Sequence, residues 1–142
     1  MPRTRWIGLV VFLSLGTFVL AQAAQVFKTR LSPVSMDATM RFTVAGSGFA
    51  SARLTGSQLV IHGSFEGLLS PATIAQVRQS AVTGVRGPAI CDLTVTKATS
   101  GEIGGDAALT PEQLESLRKG RLYVQIHSQK APDGNLWGWL LP

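Results

Sequence analysis

Two histidines and one cysteine are the residues of this chain best suited to transition-metal or redox chemistry. His62 and His127 each fall in an alternating segment, on the polar side of a predicted strand. A metal normally takes three or four ligands, so a site shared by this pair would have to recruit an Asp or Glu. We therefore expect each histidine to be a surface or hydrogen-bonding residue, and we expect no bound metal or cofactor. A metal-binding or redox protein that uses both histidines is the alternative.

Cys91 is the only cysteine, which excludes an internal disulfide. It lies in the alternating segment 89–95, on the same side as Leu93 and Val95. We expect it to be a buried small apolar residue. A reactive or intermolecular thiol is the alternative.

Trp137 and Trp139 form an aromatic pair, because residues two apart in a strand share a face. If Leu136 and Leu140 point into the core, the tryptophans point outward and mark a contact surface. The alternative is that the tryptophan face is the buried one.

No catalytic signature occurs beyond the N-terminal segment. The chain has no Gly-x-Ser-x-Gly elbow, His-Glu-x-x-His helix, P-loop or dinucleotide-binding glycine pattern there. Its eight acidic residues are spread thinly, with no pair that suggests general acid–base catalysis. Lysine and arginine are scattered from Lys28 to Lys130 rather than clustered, as they would be in a nucleic-acid binder. We expect neither an enzyme nor a nucleic-acid-binding protein.

The N-terminus has the composition of an export signal. Arg3 and Arg5 precede an uncharged apolar run, 6–20, which is typical of a signal peptide. We interpret residues 1–24 as a cleavable signal peptide and 25–142 as one domain, which places the protein outside the cytoplasm, secreted or periplasmic.

The cleavage site is predicted from the small residues that follow the apolar run. Ala21-Gln22-Ala23 fits the small-x-small pattern that signal peptidase requires. Cleavage after Ala23 is our first choice and after Ala21 our second, with an uncleaved membrane anchor as the alternative. Before cleavage, the signal peptide would be the only contact with a membrane.

Alternation of apolar and polar residues predicts many short strands. Gly56-Ser57 is predicted to form a tight hairpin turn and Pro132–Asn135 the turn of a C-terminal hairpin. Segment 73–80 could be either a strand or a helical turn. The predicted strands cover residues 38–44, 51–55, 58–66, 89–97, 102–105, 122–127 and 136–141.

One helix is predicted, from Thr110 to Lys119. Thr110 and Gln113 have the spacing of a capping box, Pro111 suits a first turn, and Gly120 is a typical residue after a helix end. Short strands with glycine- and proline-rich turns and a single helix indicate an antiparallel β-sandwich or barrel.

The C-terminal region resembles a known family. Segments 120–128 (GRLYVQIHS) and 132–139 (PDGNLWGW) are similar to the signature of the CHRD domain, and so are 59–61 with 67–68, 84–88 and 109–113. The resemblance spans most of residues 26–142. It implies an all-β, antiparallel, immunoglobulin-like Greek-key sandwich with one short helix before the C-terminal hairpin, used as an extracytoplasmic interaction module.

The chain departs from this family at one place. Many members have a His-x-His pair ahead of the glycine-rich loop, where this chain has Gln76-Val77-Arg78. Arginine stays protonated and has no lone pair for a metal, so a metal-linked role of the loop is in doubt.

We therefore expect a secreted, non-catalytic binding module whose partner is a protein or a surface component of the envelope. A structural envelope protein that self-associates through its tryptophan pair is a further alternative. The candidate binding residues are Arg78, Arg86, Tyr123, His127, Trp137 and Trp139.

Overall fold

The computed structural model describes residue 16 and residues 23–142. The predicted signal peptide lies outside the described residues except for Gly16, Ala23 and Ala24. The elements are β1 (Gln25–Pro33), a 3₁₀ turn (Met40–Phe42), β2 (Ser47–Thr55), β3 (Gln58–Glu66), β4 (Ala72–Gln79), β5 (Ala89–Val95), β6 (Gly101–Ala108), α1 (Pro111–Arg118), β7 (Leu122–Ser128) and β8 (Ala131–Trp139).

The strands form a closed eight-stranded antiparallel barrel in the order β1-β2-β3-β6-β5-β4-β7-β8. Strands β1, β2, β3 and β6 make one half, which we call the first sheet, and β5, β4, β7 and β8 make the second sheet. The two sheets join at two short seams, where Ser32 and Pro33 pair with β8 and Thr94 and Val95 pair with β6.

The immunoglobulin-like sandwich expected from the resemblance is therefore wrong. The all-β antiparallel class with one short helix is confirmed, but both edges of the sheets are hydrogen-bonded to each other. Closure of the barrel pairs the edge strands that a sandwich leaves without a hydrogen-bonded neighbour. Strand β7 lies beside β4 after two hairpins through β5 and β6, which is a Greek-key order within the barrel.

The lack of a side chain at Gly138 permits the seam between β1 and β8. A side chain at this position would lie 2.8 Å from a methyl group of Leu31 and 2.9 Å from the carbonyl oxygen of Arg30, both on β1. Because glycine has no Cβ, β1 can approach β8 closely enough to pair with it.

One continuous apolar core fills the barrel. Inward side chains alternate with outward ones along most strands, as the period of a pleated strand requires. The largest fully buried apolar side chains of this core are Phe27, Leu31, Leu59, Ile61, Leu117, Leu122, Ile126, Leu136 and Leu140.

Strand β3 and helix α1 agree closely with the predictions from sequence. Strand β3 has the predicted bounds, and Gly56 in the turn before it has a φ of 61°. The Thr110 hydroxyl accepts a hydrogen bond from the Gln113 N–H at 3.2 Å, and the Gln113 side chain accepts one from the Thr110 N–H at 3.0 Å. The predicted capping box is therefore present.

The predicted strand 38–44 is wrong. This segment contains a turn and the 3₁₀ turn, because the Asp37 carboxylate accepts hydrogen bonds from the N–H groups of Thr39 and Met40. These bonds favour a local turn over a strand ladder. They also lower the pKa of Asp37, with the Thr39 hydroxyl making the largest contribution.

The predicted hairpin turn Pro132–Asn135 is also wrong. Strand β7 ends at Ser128 and pairs directly with Ala131, so the turn is Gln129-Lys130. A register shift follows between Ile126 and Ser128, and Pro132 to Asn135 belong to the irregular start of β8. Proline is tolerated in such a position because no ladder hydrogen bond is required of it.

Segment 73–80 is a strand rather than a helical turn over nearly its whole length, because residues 73–79 lie in β4. Strand β1 has no counterpart among the predicted strands. No helix in the part of the chain that the structure describes is long and apolar enough to cross a membrane.

Candidate functional site

Three adjacent strands of the second sheet bring the candidate binding residues together. Arg78 on β4 is in register with Tyr123 on β7, which is in register with Trp139 on β8. Trp137 lies two residues before Trp139 and shares its outward side. Their neighbours Leu136 and Leu140 are fully buried in the core.

The three aromatic rings are packed against one another. The ring centroids of Tyr123 and Trp139 are 4.4 Å apart, those of Trp137 and Trp139 5.6 Å, and those of Tyr123 and Trp137 5.8 Å. The two pairs that include Trp137 meet edge to face, an arrangement that aromatic quadrupoles favour. Tyr123 is 0% exposed, whereas both tryptophans are half-buried.

The tyrosine hydroxyl fixes the glycine-rich loop beside the rings. It accepts a hydrogen bond from the Gly87 N–H at 2.9 Å and donates one to the Gly87 carbonyl at 3.2 Å. The same carbonyl accepts a bond from Arg78 Nε at 2.8 Å. A side chain at position 87 would collide with the carbonyl of Gln79, so only glycine fits here.

Two arginines lie at the border of the aromatic cluster. Arg86 is exposed and donates through its guanidinium to the carbonyl of Asp133 at 2.7 Å. Arg78 is half-buried and held by Gly87 and Gln76. We call the surface formed by Tyr123, Trp137, Trp139, Arg78 and Arg86 the aromatic face. Its arginines are oriented by backbone carbonyls and by the side-chain amide of Gln76.

His127 lies beneath the end of this surface and is 6% exposed. Its Nδ1 is 2.8 Å from the carbonyl of Pro132, which can only accept, so Nδ1 carries the proton and Nε2 has the lone pair. Burial lowers the pKa of His127 most, and the charges of Arg78 and Arg86 lower it further, against the opposing hydrogen bond to Pro132. His127 is therefore neutral at physiological pH.

Two buried acceptor atoms near this strand end have no hydrogen-bond partner among the described residues. They are His127 Nε2 and the side-chain oxygen of Asn135, whose amide nitrogen donates to the Ser128 hydroxyl at 2.8 Å. Gln125, also buried, donates to the Asp133 carbonyl at 3.3 Å. Gln125, Ser128 and Asn135 are buried polar residues that were not predicted as site residues. Gln125 and Ser128 lie on β7, which is buried along its whole length, and Asn135 lies on β8.

The two histidines cannot bind one metal ion together. His62 is exposed on β3, and β3 and β7 are four positions apart in either direction around the eight-stranded ring. They therefore lie on opposite walls of the barrel. Within residues 23–142, no three His, Cys, Asp or Glu side chains are grouped as metal ligands would be.

Cys91 is half-buried and packs against the core on the same side as Leu93, although less deeply than predicted. Burial raises the pKa of its thiol, and the charges of Asp92 and Asp106 act in the same direction against a backbone hydrogen bond at Val77. A raised pKa lowers the thiolate fraction and hence the reactivity.

Gln76 and Arg78 occupy the positions where many CHRD domains have a His-x-His pair, and both belong to a chain of hydrogen bonds. Arg78 donates to the side-chain oxygen of Gln76 at 2.7 Å, and the side-chain amide nitrogen of Gln76 donates to the Asp92 carboxylate at 2.9 Å. These hydrogen bonds orient the three side chains across β4 and β5.

The fold and the site define a class of protein, an antiparallel β-barrel domain with an aromatic and cationic surface on one wall. The family model of the CHRD domain matches residues 17–140, nearly the whole chain. The chain belongs to the CHRD domain family. No curated protein and no solved structure matches it.

Proposed function

We propose that this protein is an exported, non-catalytic binding module that recognises a protein or a surface component of the cell envelope. The aromatic face is its binding surface. The observation that carries the proposal is the half-exposed tryptophan pair, stacked on a fully buried tyrosine and bordered by two arginines.

The chemistry of this surface supports recognition. Tryptophan, tyrosine and arginine are the residue types most enriched at the energetic centres of protein interfaces. The buried Tyr123 holds both tryptophans in place, so few side-chain rotamers would be lost on binding. Arg86 is exposed and already oriented, which suits it to a carboxylate or phosphate of the partner.

Export is part of the same proposal. The basic residues, apolar run and small-x-small site within residues 1–24 support it. The protein would then bind its partner outside the cytoplasm. An intact mass equal to that of a chain beginning at Ala24 would agree with cleavage after Ala23.

A crosslinking pull-down from the native envelope tests the proposal. Tagged protein is titrated into solubilised envelope, and the concentration that gives half-maximal capture is measured for each variant. We expect Trp139→Ala and Arg86→Ala to raise this concentration about tenfold or more, as loss of a central interface residue does.

Arg118→Ala and Leu69→Ala are the matched controls, because they remove an exposed arginine and an exposed apolar side chain that are not part of the aromatic face. Both should behave as the unmodified protein. Equal capture by all four variants, or turnover of a substrate by the purified protein in an activity screen, would refute the proposal.

A further inference from the structure

The outer surface of the first sheet, on the wall opposite the aromatic face, exposes apolar side chains. Phe49 is 66% exposed, and Val26 and Val60 are exposed farther along the same surface, in register with Arg53. A shallow depression of about 600 Å³ adjoins Phe49 and is lined also by His62, Ser64 and Glu102. An exposed phenylalanine over a depression is typical of an interaction surface.

Basic and acidic residues lie on opposite halves of this surface. Strands β1 and β2 carry Lys28, Arg30 and Arg53 and no acidic residue, whereas β3 and β6 carry only acidic charges. The acidic residues are Glu66, Glu102 and Asp106, and all six charged side chains are exposed. We call this surface, which includes Phe49 on β2, the split-charge face.

None of these six charges is used in an ion pair within the described residues. Both ion pairs there lie at the C-terminal end of α1, between Glu115 and the basic residues Arg118 and Lys119. Asp106 accepts one hydrogen bond from Gln58. The split-charge face therefore presents separated positive and negative halves to the solvent.

In each of two rows, the strand register places a basic residue on β1 or β2 and an acidic residue on β6. Each row runs across β1, β2, β3 and β6 in that order. The two rows are Arg30, Phe49, Ser64, Glu102 and Val26, Arg53, Val60, Asp106.

We propose that the split-charge face binds a second copy of this chain, forming a two-fold symmetric dimer. A two-fold axis parallel to the strands places β1 of one copy over β6 of the other and β2 over β3. Arg30 then faces Glu102 of the second copy, and Lys28 falls between Glu102 and Asp106 of that copy. Each pairing occurs twice in the dimer.

Apolar contact supports the same arrangement. In this orientation Phe49 faces Ser64 of the second copy and enters the depression beside it. An axis running across the strands would instead place β1 over β1 and β6 over β6, so that like charges face each other. Charge thus selects one orientation.

The size of the face predicts a weak dimer. Four strands spaced about 4.8 Å apart and nine residues long cover on the order of 500 Å² per copy. Stable interfaces cover about 800 Å² per partner. We therefore expect a dissociation constant on the order of tens of micromolar, which increases with salt because exposed charges are screened.

Charge reversal with sedimentation equilibrium tests the proposal. The full chain is expressed with its own N-terminal segment, and each variant is compared in the same processed form, checked by intact mass. Arg30→Glu and Glu102→Arg should each weaken the dimer about tenfold, because each creates two like-charge pairs. The double variant should recover most of the loss.

Two exposed phenylalanines, Phe49 on the split-charge face and Phe42 outside it, allow a matched comparison. Phe49→Ser should weaken the dimer about tenfold or more, whereas Phe42→Ser, which removes a ring that is 67% exposed on the 3₁₀ turn, should not. Circular dichroism verifies that each variant is folded. A chain that stays monomeric up to about 1 mM would overturn the proposal, since even weak interfaces associate at that concentration.

A dimer that responds to Trp139→Ala but not to Phe49→Ser would also overturn it, because association would then occur through the aromatic face. The dimer does not depend on the proposed function, as the two surfaces lie on different sheets. Failure of one can be distinguished from failure of the other by which variants lose which interaction.

Discussion

His127 shows at the scale of a single residue how burial changes a group that looks functional in the sequence. Alternation correctly placed it on the outward side of β7, opposite Val124 and Ile126. It could not show that the β8 segment and the nearby arginines would enclose the ring. That depends on the register shift after Ile126, which brings the Pro132 carbonyl to Nδ1.

The lowered pKa of His127 predicts a pH dependence of stability. The unfolded chain binds a proton near the ordinary histidine pKa of about 6.5, whereas the folded protein resists protonation to lower pH. The contribution of His127 to the free energy of unfolding is therefore fully present above about pH 7. Below pH 6.5 the free energy of unfolding decreases, by at most about 1.4 kcal/mol per pH unit. Urea titrations monitored by fluorescence from pH 7.5 to 5.5 measure this slope.

His127→Asn should flatten the slope, because the asparagine amide can still donate to Pro132 but does not titrate. His62→Asn is the matched control and should leave the slope intact, since His62 is exposed on β3. If His62→Asn removed the slope and His127→Asn did not, the assignment would be wrong.

At the scale of elements, helix-cap spacing and strand alternation predicted an element correctly where nearby residues alone determine its structure. The capping box of α1 is specified by residues three apart, and β3 alternates strictly along its whole length. Segment 38–44 alternates equally well, yet the Asp37 carboxylate turns it into a 3₁₀ turn. Periodicity alone could not separate these outcomes, because a side chain outside the pattern decides between them.

The capping box gives a prediction for α1. Thr110→Ala leaves the Gln113 N–H without its acceptor and should lower the free energy of unfolding by about 1 kcal/mol. Chemical denaturation measures the change. Thr99→Ala, at an exposed loop threonine, is the control and should change stability by less than about 0.5 kcal/mol. Equal losses in the two variants would argue against the cap.

At the scale of the whole molecule, the closure of the barrel could not be predicted from the sequence. The β1–β8 seam consists of two residue pairs, and the β5–β6 seam also of two. Such short pairings leave no period in the sequence. The grouping of Arg78, Tyr123 and Trp139 was likewise hidden, because it depends on β4 lying beside β7 although more than 40 residues separate Arg78 from Tyr123.

The barrel also explains why the molecule has two separate surfaces. The aromatic face lies on β4, β7 and β8, and the split-charge face on β1, β2, β3 and β6. Because the rigid ring holds them on different walls, a second copy on one face leaves the other open to a partner. This arrangement would present two aromatic faces per dimer and so increase avidity for a repetitive envelope surface.

Photocrosslinking in the producing cells tests the central claim most directly. The photoreactive residue p-benzoylphenylalanine replaces Trp139 in one variant and Ser57, exposed in the turn between β2 and β3 of the first sheet, in another. We predict that irradiation yields a specific adduct with an envelope component at position 139 and none at position 57. Adducts of equal yield at both positions, or at neither, would contradict the assignment of the aromatic face as the binding surface.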